Sequence, residues 1–259
     1  MGENSILKPS GSSCNPESPS PEGELLAVKK DTANSKLPDI NGVIFDLDGT
    51  LIDSVPVYFE LMETILETIG LPPAPRSVVA EFMTGGGMAV IEKLIPENLR
   101  HRKEEIIKEF MVVGRNTSRS AFKERVKLFH GVPRLFNRLV GLRIPIGIVT
   151  STERLYIDRK LQPLQKNRIK EHLDVVIAIE DAPRKKPFPD PLIVCSERLG
   201  VSAGKCVYVG DSHVDIRAAN AAGMMAIGVL SGLDDRETLM AENPNMILQN
   251  INELIKLFP

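Results

Sequence analysis

The chain has 259 residues, 42% of them apolar, with 32 Lys and Arg against 34 Asp and Glu. That suffices to bury the core of one or two domains, and a formal charge of −2 leaves no basic surplus for nucleic acid or a membrane surface. No apolar run reaches the ~20 residues that a bilayer demands. Three cysteines, Cys14, Cys195 and Cys206, lack paired spacing and read as reduced thiols of an intracellular protein.

In chain order, residues 1–39 come first. Their stretch "PSGSSCNPESPSPEGE" is rich in Ser, Pro and Glu with almost nothing to bury, so a disordered, solvated tail is expected. It has no apolar signal segment and no Arg, and it carries Glu3, Glu17, Glu22, Glu24, Asp31 and Asp39, which argues against a transit peptide. Ile6 stands where a myristoylation signal wants Ser or Thr. A cytoplasmic location is the expectation.

"GVIFDLDGTLIDS", residues 42–54, opens the ordered part. Val43, Ile44 and Phe45 read as a buried strand, which ends in Asp46 and Asp48. Side chains two apart in a strand point the same way, and two carboxylates so placed repel unless a cation or a proton intervenes. From there, "GVIFD", "IPIGIVT", "LDVVIAI", "KCVYVGD", "MMAIGVL" and "NMILQ" alternate with helical stretches such as "PRLFNRLVGL", "PDPLIVCSERLG" and "VDIRAANAAG". Strands buried on both faces with helices between them predict an α/β fold, a doubly wound parallel sheet.

One interval breaks the rhythm. A parallel crossover needs only about a dozen residues, yet "IPIGIVT" begins near residue 144. In "YFELMETILETIG" Phe59, Met62, Leu66 and Ile69 share a face, as do Ile106, Ile107, Phe110 and Met111 in "KEEIIKEFMVV". Residues 57–130 therefore predict an inserted helical cap domain, and 40–56 with 131–259 the core. The connections, near Ser54–Pro56 and His130–Pro133, leave and rejoin beside the carboxylates, the geometry of a lid. The "TGGGM" loop reads equally as a plain turn or as a flexible loop over the site.

Ligands bind beyond the carboxyl ends of strands in open α/β sheets. Four ends here carry polar groups: Asp46 and Asp48; Thr150, Ser151 and Thr152; Lys185 and Lys186; and Asp211 with Ser212 and Asp215. Carboxylate oxygens suit Mg²⁺, which takes one or two of them together with a phosphate. Such a metal between Asp46 and Asp211 would offset their repulsion and draw a phosphate to Asp46, a potential nucleophile. Lys186 would supply charge to the phosphoryl group, Thr150 would position it, and Asp48 would move protons.

"FDLDGTLIDS", "IGIVTST", "KKPFPDP" and "VYVGDSHVDIRAANAAGM" together resemble the haloacid dehalogenase-like superfamily, in its phosphatase branch with a helical cap after the first strand. The likeness is greatest to the phosphoglycolate phosphatase-like and β-phosphoglucomutase-like group and runs from about residue 40 to the C-terminus. It implies Asp46 as nucleophile and Asp48 as acid/base. Asp46, the main-chain carbonyl of Asp48, and Asp211 would hold Mg²⁺. Thr150 and Lys186 would bind the phosphoryl group, and Asp215 would support the ligands from behind. Two positions depart from the family pattern: Lys185 replaces a glycine, and Ser151 stands where asparagine commonly contacts the phosphate.

The implied activity is hydrolysis of a small phosphorylated metabolite, with no nucleic acid or membrane partner. Dehalogenases lack an acid matching Asp48. The mutases tend to carry Val where Thr50 stands and His where Tyr58 stands, so a phosphomutase is the second reading. A silent binding protein on the same fold, or a tail that docks a partner through its Ser-Pro steps, are readings from another class.

Overall fold

The computed structural model describes residues 39–258; all but the last residue of the expected tail lies outside them. All six anticipated strands form, each a short run of β-branched and apolar residues. They are β1 (Gly42–Phe45), β4 (Ile146–Val149), β5 (Val175–Ile177), β6 (Cys206–Gly210), β7 (Met225–Val229) and β8 (Met246–Leu248). A short ribbon, β2 (Ile52–Asp53) and β3 (Lys127–Leu128), lies apart from them. The sheet runs β5-β4-β1-β6-β7-β8 with every pairing parallel.

Successive strand residues face opposite sides, and each side has its own core. Val43 and Phe45 join Ile146, Ile148, Val207 and Val209 on one face. There they meet α5 (Val132–Gly141), α6 (Ile157–Lys160), α7 (Gln162–Lys166) and α11 (Ile251–Leu254). Phe45 stacks on Phe136, with ring centroids 5.7 Å apart. Ile44 and Tyr208 face the other side, against α8 (Asp190–Leu199), α9 (His213–Ala221) and α10 (Arg236–Ala241). Cys195 and Cys206 are buried there as free thiols. Among the described residues, no helix is long and apolar enough to cross a membrane.

Between β2 and β3 come α1 (Val55–Thr68), α2 (Arg76–Glu81), α3 (Met88–Glu92) and α4 (Lys103–Arg125). They enclose a separate cluster that includes Met62, Leu66, Val79, Ile91, Ile106 and Phe110. The expected faces hold with two adjustments. In α1, Val57 and Leu61 turn toward the sheet core, so this helix serves two cores. In α4, Met111 is 45% exposed, because it lies about 100° round the helix from buried Phe110. The "TGGGM" segment links α2 to α3 by a turn that follows Phe82 and is kinked at Gly85, which holds φ 97°. The chain leaves and returns through the ribbon, where Ile52 pairs with Leu128 and Asp53 with Lys127.

Candidate active site

The register of β1 puts three strand ends level. Phe45 pairs with Ile148 of β4 and Val209 of β6. Asp46, whose N–H donates to the Val209 carbonyl at 2.8 Å, therefore emerges beside the ends that carry Thr150 and Asp211. The strand order changes direction at β1, the place where such sheets open a crevice.

Lys186 reaches into this crevice and is 4% exposed. Its Nζ donates to Asp46 Oδ1 at 2.6 Å, to Asp215 Oδ1 at 2.7 Å and to the Tyr208 hydroxyl at 3.1 Å. Lys185, in the place of the family's glycine, has no positive φ, so its side chain brings no backbone strain. Its ammonium instead donates to the Gly85 carbonyl in the cap turn. Asp215 accepts a second bond on Oδ1 from Tyr208, and on Oδ2 it takes the Ser212 N–H and hydroxyl at 3.1 and 2.5 Å. It thus closes the start of α9 while facing the site. Asp211 accepts from the Thr50 hydroxyl at 2.8 Å and the Leu233 N–H at 2.7 Å. Gly49 holds φ 81° in the turn after Asp48, and a Cβ there would come within 2.3 Å of Asp211 Oδ2. Glycine is required at that point.

Thr150 is buried, and its hydroxyl lies 3.0 Å from that of Thr152. Thr150, Ser151, Asp46, Asp48 and Lys186 line a cavity of about 30 Å³, closed from the cap side by Met83 and Thr84. The cap turn therefore lies over the site. A larger cavity of about 770 Å³ lies by the ribbon, lined by Lys127, His130 and Arg134 among others, and none of the site carboxylates reaches it. His213, the first residue of α9, is half-buried and paired with Asp234 at 2.7 Å.

Three buried carboxylates, Asp46, Asp211 and Asp215, offer oxygens within 4.8 Å of one another, and the one ammonium among them pairs with Asp46 and Asp215. Burial pushes the Asp46 carboxyl well up, against the pull of Lys186, and the neighbouring carboxylates add to the rise. Burial and Asp215 likewise raise Asp211 to about 7. Burial alone would lower Lys186, but Asp215 and Asp46 outweigh it and hold the ammonium above its ordinary value. The cluster is short of positive charge, and its donors are all hard oxygens. It fits a hard divalent cation such as Mg²⁺.

Asp48 stands apart from this group. It accepts from Ser54 Oγ at 2.6 Å, from Thr152 Oγ1 at 3.4 Å and from Lys160 Nζ at 2.5 Å. Lys160 was not anticipated, although the sequence carries a signal for it. Ile157, Leu161 and Leu164 mark the buried stripe of "IDRKLQPL", and Lys160 sits three residues after Ile157 in that stripe. A lysine in an apolar slot needs a partner. Tyr208 carries a similar signal, since a tyrosine inside a buried strand needs a hydroxyl partner.

Comparison with known proteins follows the same lines. Residues 43–229 match the family model described as haloacid dehalogenase-like hydrolase. The phosphoglycolate phosphatase of Escherichia coli K12 is 31% identical over 238 residues, covering 85% of this chain and 93% of that protein. A predicted phosphoglycolate phosphatase from Haemophilus somnus 129PT superposes with a TM-score of 0.70 at 20% identity, over 86% of this chain and all of the other. A β-phosphoglucomutase from Clostridium difficile gives 0.66 at 18% identity, over 83% and 93% of the two chains. These last two are likenesses of fold.

Proposed function

Because the chain belongs to the haloacid dehalogenase-like hydrolases and is a phosphatase of that family, we propose that it hydrolyses a small phosphomonoester in the cytoplasm through an aspartyl-phosphate on Asp46. The observation that carries this reading is the single ammonium of Lys186 among three buried carboxylates at one strand edge. Asp46 holds only its Oδ1 in that ion pair, which leaves Oδ2 to attack phosphorus. As the ester P–O bond breaks, Asp48 gives a proton to the leaving oxygen. Water then attacks the phosphoryl group, the P–O bond to Asp46 breaks, and Asp48 takes the water's proton. Lys186 offsets charge on the phosphoryl oxygens, and Thr150 with Ser151 lines the space that orients them.

Asp46, the Asp48 carbonyl and Asp211 would hold the Mg²⁺; Asp215, with both oxygens already accepting bonds, would orient Lys186 rather than bind metal. When bound, Mg²⁺ supplies positive charge that the cluster lacks and helps to neutralise the phosphate. The residues 57–130 act as the lid, and a cavity of about 30 Å³ beneath it means that it must move aside to admit substrate. Tyr58 supports hydrolysis over mutase chemistry. Burial pushes its phenol well above its ordinary value and its hydroxyl is engaged by Lys160, so it offers no base at the position where mutases tend to carry His.

Phosphate release from a panel headed by phosphoglycolate, with sugar phosphates and nucleotides, tests the reading with Mg²⁺ and with EDTA. Turnover with Mg²⁺ and none with EDTA is expected; equal rates in both would remove the metal from the mechanism, and no turnover of any compound would favour the silent binder.

Metal binding has its own signature in stability. Asp211 has a folded value of about 7 against an ordinary 3.8. A raised carboxyl contributes stability that is fully present below the unfolded value and lost as pH rises through the folded one. Metal-free protein should therefore lose stability between about pH 4 and 7 through this group. Mg²⁺ should raise the melting temperature more at pH 8 than at pH 5, because the ion competes with protons for the same oxygens. Melting curves at both pH values check this; an equal Mg²⁺ shift at the two would count against the carboxylate site.

A further inference from the structure

Lys160 is 3% exposed in a helix of the core, yet its ammonium makes contacts in three separate parts of the chain. It donates to Asp48 Oδ1 at 2.5 Å and to the Tyr58 hydroxyl. It also lies over two aromatic rings, 4.3 Å from the centroid of Tyr58 and 4.4 Å from that of Phe122. These rings pack edge to face, with centroids 5.2 Å apart. Tyr58 belongs to the first turn of α1 and Phe122 to the last turn of α4, so they are the roots of the first and last helices between β2 and β3. A cation held by two rings and a carboxylate is strongly located, and desolvation adds to each contact.

The other partners of Asp48, the hydroxyls of Ser54 and Thr152, can also act as donors. An ammonium and two hydroxyls thus converge on the Asp48 side chain and fix where its oxygens lie. In the proposed cycle Asp48 must be a carboxylate in the second half, when water attacks phosphorus, the P–O bond to Asp46 breaks and the water's proton passes to Asp48.

We propose that Lys160 is a positioning residue for the hydrolytic half of the reaction, holding the Asp48 carboxylate toward the attacking water and tying its placement to the seating of both cap roots through Tyr58 and Phe122. The inference rests on the phosphatase reading. It predicts an unequal kinetic effect. With p-nitrophenyl phosphate, kcat/KM reports steps up to release of nitrophenol, whereas kcat also includes breakdown of the aspartyl-phosphate.

Lys160→Met should lower kcat about 10- to 100-fold, a part of the 10²–10⁴ that general acid–base catalysis contributes. Its kcat/KM should stay within about threefold of wild type, since phosphorylation is spared. A rapid-mixing burst of nitrophenol approaching one per active site should appear, together with phosphoenzyme trapped by acid quench. Lys160→Gln keeps a donor without the charge and should show the same split. Lys160→Arg should recover most of the lost kcat. A merely structural role would instead lower kcat and kcat/KM together with no burst, and that result overturns the proposal. So does failure of both the Met and Gln variants to fold, judged by their melting curves. Absence of any Asp46-dependent turnover in the wild-type protein would sink the phosphatase reading itself, an outcome separate from any result on Lys160.

Discussion

Asp46→Asn should abolish phosphate release, with a loss of at least about 10³-fold, while the protein stays folded. Removing a nucleophile from a site that works as a unit costs in the range of 10³–10⁶. Asparagine keeps the shape and still offers Lys186 an acceptor in place of Oδ1. Burial disfavours the Asp46 charge, so its removal relieves the cluster rather than straining it. The melting temperature of the metal-free variant should accordingly equal or exceed that of wild type. Phosphate release and melting curves on the same preparation check both parts. Retained turnover would mean that another group attacks phosphorus, and lost folding would mean that the carboxylate is structural.

Lys186→Met should fail in both respects. Its ammonium is the shared partner of Asp46 and Asp215 and touches the Tyr208 hydroxyl. Methionine fills the channel but leaves Asp46, Asp211 and Asp215 facing one another with no cation. Breaking a buried ion pair from one side costs about 3–5 kcal/mol, on the order of 10 °C in melting temperature for a domain of this size. Turnover should fall by about 10³-fold or more through the loss of charge stabilisation on the phosphoryl group. The stability deficit should widen as pH rises through about 7, where Asp211 ionises, and Mg²⁺ should recover part of it. Unchanged melting at pH 8 without metal would show that Lys186 is not the counter-charge of this cluster.

Much of this was legible in the sequence, and the reasons differ from part to part. The six strands announced themselves because a parallel sheet buried on both faces needs unbroken apolar runs. Asp46, Thr150, Lys186 and Asp211 could be placed together because each follows a strand, and parallel strands present the same end to one edge. The β2–β3 ribbon could not be foreseen: two paired residues on each side leave no periodicity to read. Met111 was misplaced on α4 because adjacent apolar residues satisfy a loose stripe equally well. Lys160 was passed over because a charge in a helix is ordinarily solvated. Its meaning depends on Tyr58 and Asp48, which lie 102 and 112 residues away in sequence.

The ribbon also bears on how such a protein can change. The excursion between Asp53 and Lys127 starts and finishes at residues that are backbone partners. Whatever length of chain runs between them, its two ends are already joined, so the entropy of closing the excursion is borne locally and no strand of the sheet has to shift. The segment can therefore be exchanged as a cassette, shortened or rebuilt around another substrate, while Asp46, Thr150, Lys186 and Asp211 keep their places. Tyr58 and Phe122, which hold the ammonium of Lys160, would need to travel with the sheet's machinery, as would Ser54 at Asp48 and Val57 and Leu61 in the sheet core.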